Sequence, residues 1–343
     1  MIKDFADSMA WLARRDGSAV IGHGPFSEVS AAPARGVAFY VQNFDFSDPL
    51  PWKIPRLSEN LRVADLVAML PAAQSIEIKW ESLDPGLFSV IFQEVATSIK
   101  GGTFEKTVPV VTESGFADKP PASAIVAAMA RQITPLHSYG WVHPNFGFAG
   151  ATPELLFTLN GDRLETMALA GTARSEDREV FAADEKEIRE HEYVAQTLVA
   201  KLQDLGQVAR LPREILDLGS IVHFLTTIHV ALQVPQTAEA LLKRLHPTPA
   251  LGPLPRTGET LQKLYDWRQR LACPAQFGAP FGVWQDGRFD AIVAIRGIWW
   301  EDSNLKLATG CGVIEASRLV NEWRELRLKR EAVKRFLVDT TGR

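Results

Sequence analysis

The chain has 343 residues, 46% apolar and 23% charged, which excludes disordered, collagen-like and coiled-coil classes and leaves ample chain for a large core. A formal net charge of −4 offers no basic surplus for phosphate contacts, so no nucleic-acid partner is expected. Two cysteines, Cys273 and Cys311, are too few for a disulfide framework or a four-cysteine zinc site, and a reducing cytoplasm is the expected setting.

The first sixteen residues place acids where a signal peptide carries bases and contain no apolar core, so no leader is expected. Nearly apolar stretches such as residues 66–73 and 124–130 fall far short of the roughly 20 residues a bilayer requires, so no membrane partner is expected. Residues 19–21 and 37–42 have the character of short strands. Residues 87–100 predict a helix, with Phe88, Ile91, Phe92, Val95 and Ile99 at helical spacing and Gly101-Gly102 as its stop. A strand is expected over 107–111. Residues 146–159 and 163–169 read as two strands around Asn160-Gly161, a strong hairpin signal. Two more, 290–300 and 305–309, flank the polar turn 301–304. Pro/Gly-rich stretches at 48–55, 119–121 and 246–255 are too short for linkers, so one domain over 1–343 is expected. Antiparallel strand runs with helices between and after them indicate α+β.

Two further helices carry chemistry. One is expected over 184–205, ending at Gly206, with Ile188, Val194, Ala195, Leu198, Leu202 and Leu205 on its apolar stripe. The spacing puts Glu187 on that stripe and Glu190 one turn beyond. The bland alternative is a solvated acid run with Lys186–Glu190 as an i,i+4 pair. A second helix over 317–337 has Leu319, Trp323, Leu326, Val333 and Leu337 on its apolar face, with Glu322, Glu325 and Lys329 at the edge. Here the alternative is a surface Glu325–Lys329 pair. Two Glu-x-x-Glu pairs at buried margins suit a hard cation with oxygen ligands, Mg²⁺ above all. Other site types fail. His191-Glu192 lacks the second histidine of a zinc motif, no nucleophile elbow or P-loop is present, and Glu315 stands where a dinucleotide fingerprint needs glycine.

Several ordered motifs resemble the chorismate-utilising enzymes, which include isochorismate synthase, salicylate synthase and the large subunits of anthranilate and aminodeoxychorismate synthase. They are residues 150–154 (GATPE), 170–172 (AGT), 186–191 (KEIREH), Val222-His223, 246–250 (HPTPA), 294–296 (AIR), 310–312 (GCG), and 322–325 (EWRE) with Lys329. The closest likeness is to isochorismate synthase, with core motifs over 86–340 and an abbreviated part over 1–85.

The resemblance implies two large antiparallel sheets packed as a sandwich, helices outside, and a Mg²⁺-dependent site. It assigns the metal carboxylates to Glu190 and Glu325, with Glu187 and Glu322 as neighbouring ligands, matching the acids found from periodicity. Mg²⁺ would hold the ring carboxylate of chorismate. Arg296 matches the arginine for the enolpyruvyl carboxylate, where a bidentate fork suits the geometry. Lys329 and backbone amides near Gly310, Gly312, Gly171 and Thr172 complete the anion cradle. Lys106, in the run Phe104–Val108, matches the base that activates water, and Glu154 the acid that protonates the departing 4-hydroxyl. A lysine serves as base only when burial or a nearby cation favours its neutral form.

Ala250 stands where ammonia-using relatives generally carry threonine and isochorismate synthases alanine, so water is the expected nucleophile and no glutamine amidotransferase subunit is expected. His223 resembles a residue shared with salicylate-forming enzymes, which keeps a salicylate product as the alternative, with an aminating activity or a non-catalytic chorismate binder beyond it. Menaquinone, siderophore and salicylate routes are equally open for the product. Val111, Phe277, Ala279, Pro253 and the strand-interrupting Pro109 depart from the usual pattern; none removes a metal carboxylate, the lysine or the acid.

Overall fold

The computed structural model describes residues 8–70 and 76–338. Part of the N-terminal segment, residues 71–73 of the apolar stretch, and residues 339–340 lie outside the described residues. In chain order the elements are β1 (Met9–Ala13), β2 (Ser18–Val29), β3 (Val37–Val41), β4 (Trp52–Arg62), α1 (Val63–Met69), β5 (Ile78–Trp80) and α2 (Pro85–Lys100). There follow β6 (Lys106–Thr107), β7 (Val110–Ala117), α3 (Ala122–Ala130), β8 (His137–Val142), β9 (Phe146–Thr152), β10 (Leu155–Asn160) and β11 (Arg163–Arg174). Next come α4 (Arg178–Ala182), α5 (Glu185–Leu202), β12 (Gly206–Arg210), β13 (Glu214–Asp217), β14 (Ile221–Leu232), α6 (Ala238–Leu245) and α7 (Gly258–Arg270). The last are β15 (Pro280–Gln285), β16 (Arg288–Val293), β17 (Gly297–Glu301), β18 (Asn304–Gly310), β19 (Val313–Ile314) and α8 (Leu319–Val338).

Pairing is antiparallel throughout. It runs β5-β7-β18-β17-β9-β8-β1-β2-β4-β3-β15-β16-β10-β11-β14, with β12 and β13 both on the free edge of β14. The expected sandwich is present, but its two layers belong to one hydrogen-bonded strand system. The long β2–β4 pair passes from one layer to the other, and its register shifts between His23 and Phe26, where a bulge bends the ribbon. Aromatic rings fill the gap between layers: Tyr139 and Phe148 of one lie 5.5 Å and 5.9 Å, centroid to centroid, from Phe281 of the other. Side chains alternate as a strand requires, Leu12 and Val20 facing this inner core while Trp11 and Ile21 face outward. Ile125 and Met129 of α3 and Val333 of α8 cover the outer face of the first layer. Val194, Leu198 and Leu202 of α5 pack with β11 and β14 on the second.

The differences from the sequence expectations lie at the strand breaks. The strand expected over 107–111 divides into β6 and β7, because Pro109 has no N–H for a ladder. The run 146–159 breaks at Pro153-Glu154. Strand β11 continues to Arg174 through a bulge between Ala170 and Thr172, where Gly171 takes φ +78°. The run 290–300 breaks ahead of β17, with Arg296 at φ 57°. Helix α5 ends at Leu202 rather than at Gly206, which opens β12. Its buried face holds Glu190 and His191, leaving Glu187 at the margin, the reverse of the expected order. Among the described residues no helix is long and apolar enough to cross a membrane.

Candidate active site

The breaks in the strands converge. The turn after β9 carries Glu154, the bulge in β11 carries Gly171 and Thr172, and the kink before β17 carries Arg296. All of these line one cavity with Glu190, His223, Ala250, Gly310, Gly312 and Lys329. Its volume is about 60 Å³, room for a few waters. A larger open cavity of about 1030 Å³, walled by Trp80, Trp141 and Trp299, contains none of the motif residues. The motif residues, with Glu154, Glu190, His223, Arg296 and Lys329 among them, converge on the smaller one.

Glu154 is 3% exposed and accepts a hydrogen bond from Thr248 Oγ1 at 3.3 Å. Burial pushes its carboxyl up to about 7, so it holds a proton near neutrality. Lys106 is fully buried one layer behind the cavity wall. Its Nζ donates to the Pro249 carbonyl at 2.6 Å and pairs with Glu190 Oε1 at 3.3 Å. Gly312 makes that approach possible, since a Cβ there would collide with the Glu190 carboxylate and crowd Lys106 Cε. Arg296, 7% exposed, donates from Nη2 to His223 Nε2 at 2.9 Å. Burial holds the His223 imidazole well below its ordinary value, reinforced by the Arg296 charge, so the ring is neutral. Lys329 donates to the Gly310 carbonyl at 2.9 Å and pairs with Glu325 at 2.6 Å.

The four helix acids sit beside this cavity, and only Glu190 is in its wall. Asp184 caps α5 by accepting from the N–H groups of Lys186 and Glu187, which fixes the first turn. Both ion pairs named as bland alternatives exist, Lys186–Glu190 and Glu325–Lys329. The first, however, is not a solvated surface pair. Lys186 Nζ lies 2.8 Å from Glu187 Oε1, 3.3 Å from Glu190 Oε2 and 3.3 Å from Glu322 Oε1, linking α5 to α8. Glu187 also accepts from the Thr172 N–H at 2.8 Å. Burial, then the neighbouring carboxylates, pushes Glu187 up to about 7 and Glu322 to about 8. Burial also opposes ionisation of Glu190, but the ammonium groups of Lys106, Lys186 and Lys329 outweigh it and hold the carboxyl well below its usual range.

This donor set, four carboxylates from two helices, three of them gathered about the Lys186 ammonium and Glu325 paired with Lys329, has the chemistry a hard divalent cation requires. Among the described residues no group of three or more His, Cys, Asp or Glu is spaced to share one ion, and the Lys186 ammonium stands among Glu187, Glu190 and Glu322. Sequence reasoning missed that position, and the Thr248 and Pro249 contacts. A lysine in the first turn of a helix, against the dipole, is the signal that marks Lys186.

Residues 54–338 match the family described as chorismate binding enzyme, and the chain belongs to that family. Isochorismate synthase EntC of Escherichia coli K12 is 30% identical over 194 residues, 52% of this chain and 48% of that protein. The salicylate biosynthesis isochorismate synthase of Pseudomonas aeruginosa is 27% identical over 257 residues, 71% of this chain and 53% of the relative. The match thus spans about half the length of these relatives. The structure of MenF, the menaquinone-specific isochorismate synthase of Escherichia coli, superposes with a TM-score of 0.79 at 19% identity, covering 96% of this chain and 88% of that one. At that identity the likeness shows the shared fold.

Proposed function

We propose that the protein is a Mg²⁺-dependent isochorismate synthase, adding water at C2 of chorismate and expelling the C4 hydroxyl. The observation that carries this reading is the pair Glu154 and Lys106: one buried carboxyl holding a proton near neutrality, and one fully buried lysine beside the same cavity. Water forms the new C2–O bond, both ring double bonds shift (C1=C2 to C1=C6 and C5=C6 to C4=C5), and the C4–O bond breaks. To act as base Lys106 must first give up the proton with which it pairs to Glu190; it then takes the proton from the attacking water while Glu154 gives one to the departing hydroxide, so one water enters and one leaves. Arg296, oriented by His223, binds a substrate carboxylate as a fork. Lys329 and the Thr172 N–H now serve Glu325 and Glu187, and they turn to the substrate when those acids take a cation.

Glu190 and Glu325, with Glu187 and Glu322, would hold Mg²⁺, which when bound supplies positive charge for the ring carboxylate. Ala250 in the cavity wall offers no hydroxyl to orient ammonia, which supports water as nucleophile and an activity without an amidotransferase partner. The test is chorismate turnover with Mg²⁺ and with chelator. Turnover that persists unchanged in chelator contradicts the metal reading; no turnover under any condition contradicts the enzyme.

A further inference from the structure

We propose that Lys186 is a built-in placeholder for the divalent cation. Its ammonium is seated among Glu187, Glu190 and Glu322 in the metal-free protein and is displaced toward solvent when the ion binds. The inference rests on the Mg²⁺ reading above and adds to it a residue that sets how tightly the ion is held.

Three observations carry it. The ammonium sits where carboxylates of both helices meet, 2.8 to 3.3 Å from an oxygen of Glu187, Glu190 and Glu322. Mg²⁺ takes its oxygens at about 2.0–2.1 Å, so the same acids must close in and the ammonium must leave; two positive charges cannot share that seat. The side chain also has a way out. It is 21% exposed, whereas Glu322 is 1% and Lys106 0% exposed, and its four-carbon stem is flexible. Lastly, Lys186 lies in the first turn of α5, at the positive end of the helix dipole, an unfavourable place for a cation that its carboxylate partners offset. The other site lysines are engaged elsewhere, Lys106 with Pro249 and Glu190 Oε1, and Lys329 with Gly310 and Glu325.

The arrangement gives Glu187 and Glu322 a counter-ion in the metal-free protein, and Glu190 a second one beside Lys106. It also lowers the apparent metal affinity, because the ion binds only the fraction of molecules whose seat is free.

The test uses the full chain and MgCl₂. Calorimetry gives Mg²⁺ affinity for wild type and Lys186→Met, and an amine-acylating reagent with peptide mass spectrometry reads the accessibility of Lys186 in the wild type. Lys186 should label slowly in chelator and several-fold faster as Mg²⁺ saturates, while Lys106 stays protected. Lys186→Met should bind Mg²⁺ about tenfold tighter. If wild type binds Mg²⁺ while Lys186 labelling is unchanged or falls, the exchange is overturned and the metal reading stands. If neither protein binds Mg²⁺, the metal reading fails and this inference with it.

Discussion

His223 Nδ1 faces the Gly171 carbonyl at 2.8 Å, so Nδ1 carries the proton and the bare Nε2 accepts from Arg296. The histidine therefore aims the guanidinium instead of competing with it as a second positive charge. Burial keeps the ring neutral, with Arg296 second. His223→Leu removes the acceptor and should raise KM for chorismate about tenfold or more, the range of a lost charge-assisted hydrogen bond. The loss in kcat should be smaller, and His223→Gln, which keeps an acceptor, should recover part of it. Steady-state kinetics of the two variants is the check; equal effects on KM and kcat, with no recovery by Gln, would show the ring to be mere packing.

Lys106→Ala and Glu154→Gln should each lower kcat by about 10²–10⁴-fold with little change in chorismate binding, as befits a positioned base or acid. Near-native turnover by Lys106→Ala would make the lysine structural.

Because Glu154 is protonated below about 7 and charged above it, kcat should fall as pH rises through that value, by about tenfold per unit. The folded carboxyl titrates above its unfolded value, so its stabilising contribution is present at low pH and lost as pH rises through about 7. Glu154→Gln should therefore melt above wild type at pH 8.5, with the advantage shrinking as pH falls below about 7 and vanishing only near the ordinary carboxylate value of 4.5. A melting difference independent of pH would contradict the assignment.

Gly312→Ala places a methyl against the Glu190 carboxylate and Lys106. Activity should drop by about 10²-fold, the cost of a misplaced catalytic group, with the fold retained by circular dichroism. Glu190→Gln and Glu325→Gln should each weaken Mg²⁺ binding by about 100-fold or more, since a ligand loss exceeds the 10–100-fold typical of supporting residues. Calorimetry reads this directly, and unchanged binding in both would remove α5 and α8 from the metal site.

Much of the site could be read in the sequence because its residues come in tight local patterns. Glu187 and Glu190, and Glu322 and Glu325, repeat at helical spacing, and Lys106, Glu154 and Arg296 sit in short motifs. Less legible were features that depend on contacts distant along the chain. Nothing local shows that Lys186 of α5 touches Glu322 of α8, 136 positions away, nor that Pro249 presents its carbonyl to Lys106. The strand breaks at Glu154 and Arg296 were read through as continuous because the flanking residues are apolar and strand-forming. Both breaks face the cavity, where the site takes precedence over the ladder. The layers' continuity through β2 and β4 was likewise invisible, since strand pairing leaves no mark on composition.

The most direct measurement is chromatography of the products after incubation with chorismate, Mg²⁺ and excess ammonium at alkaline pH. Isochorismate as the main product, with ammonium present and absent alike, is the expected result. Anthranilate or aminodeoxychorismate as the main product would contradict it.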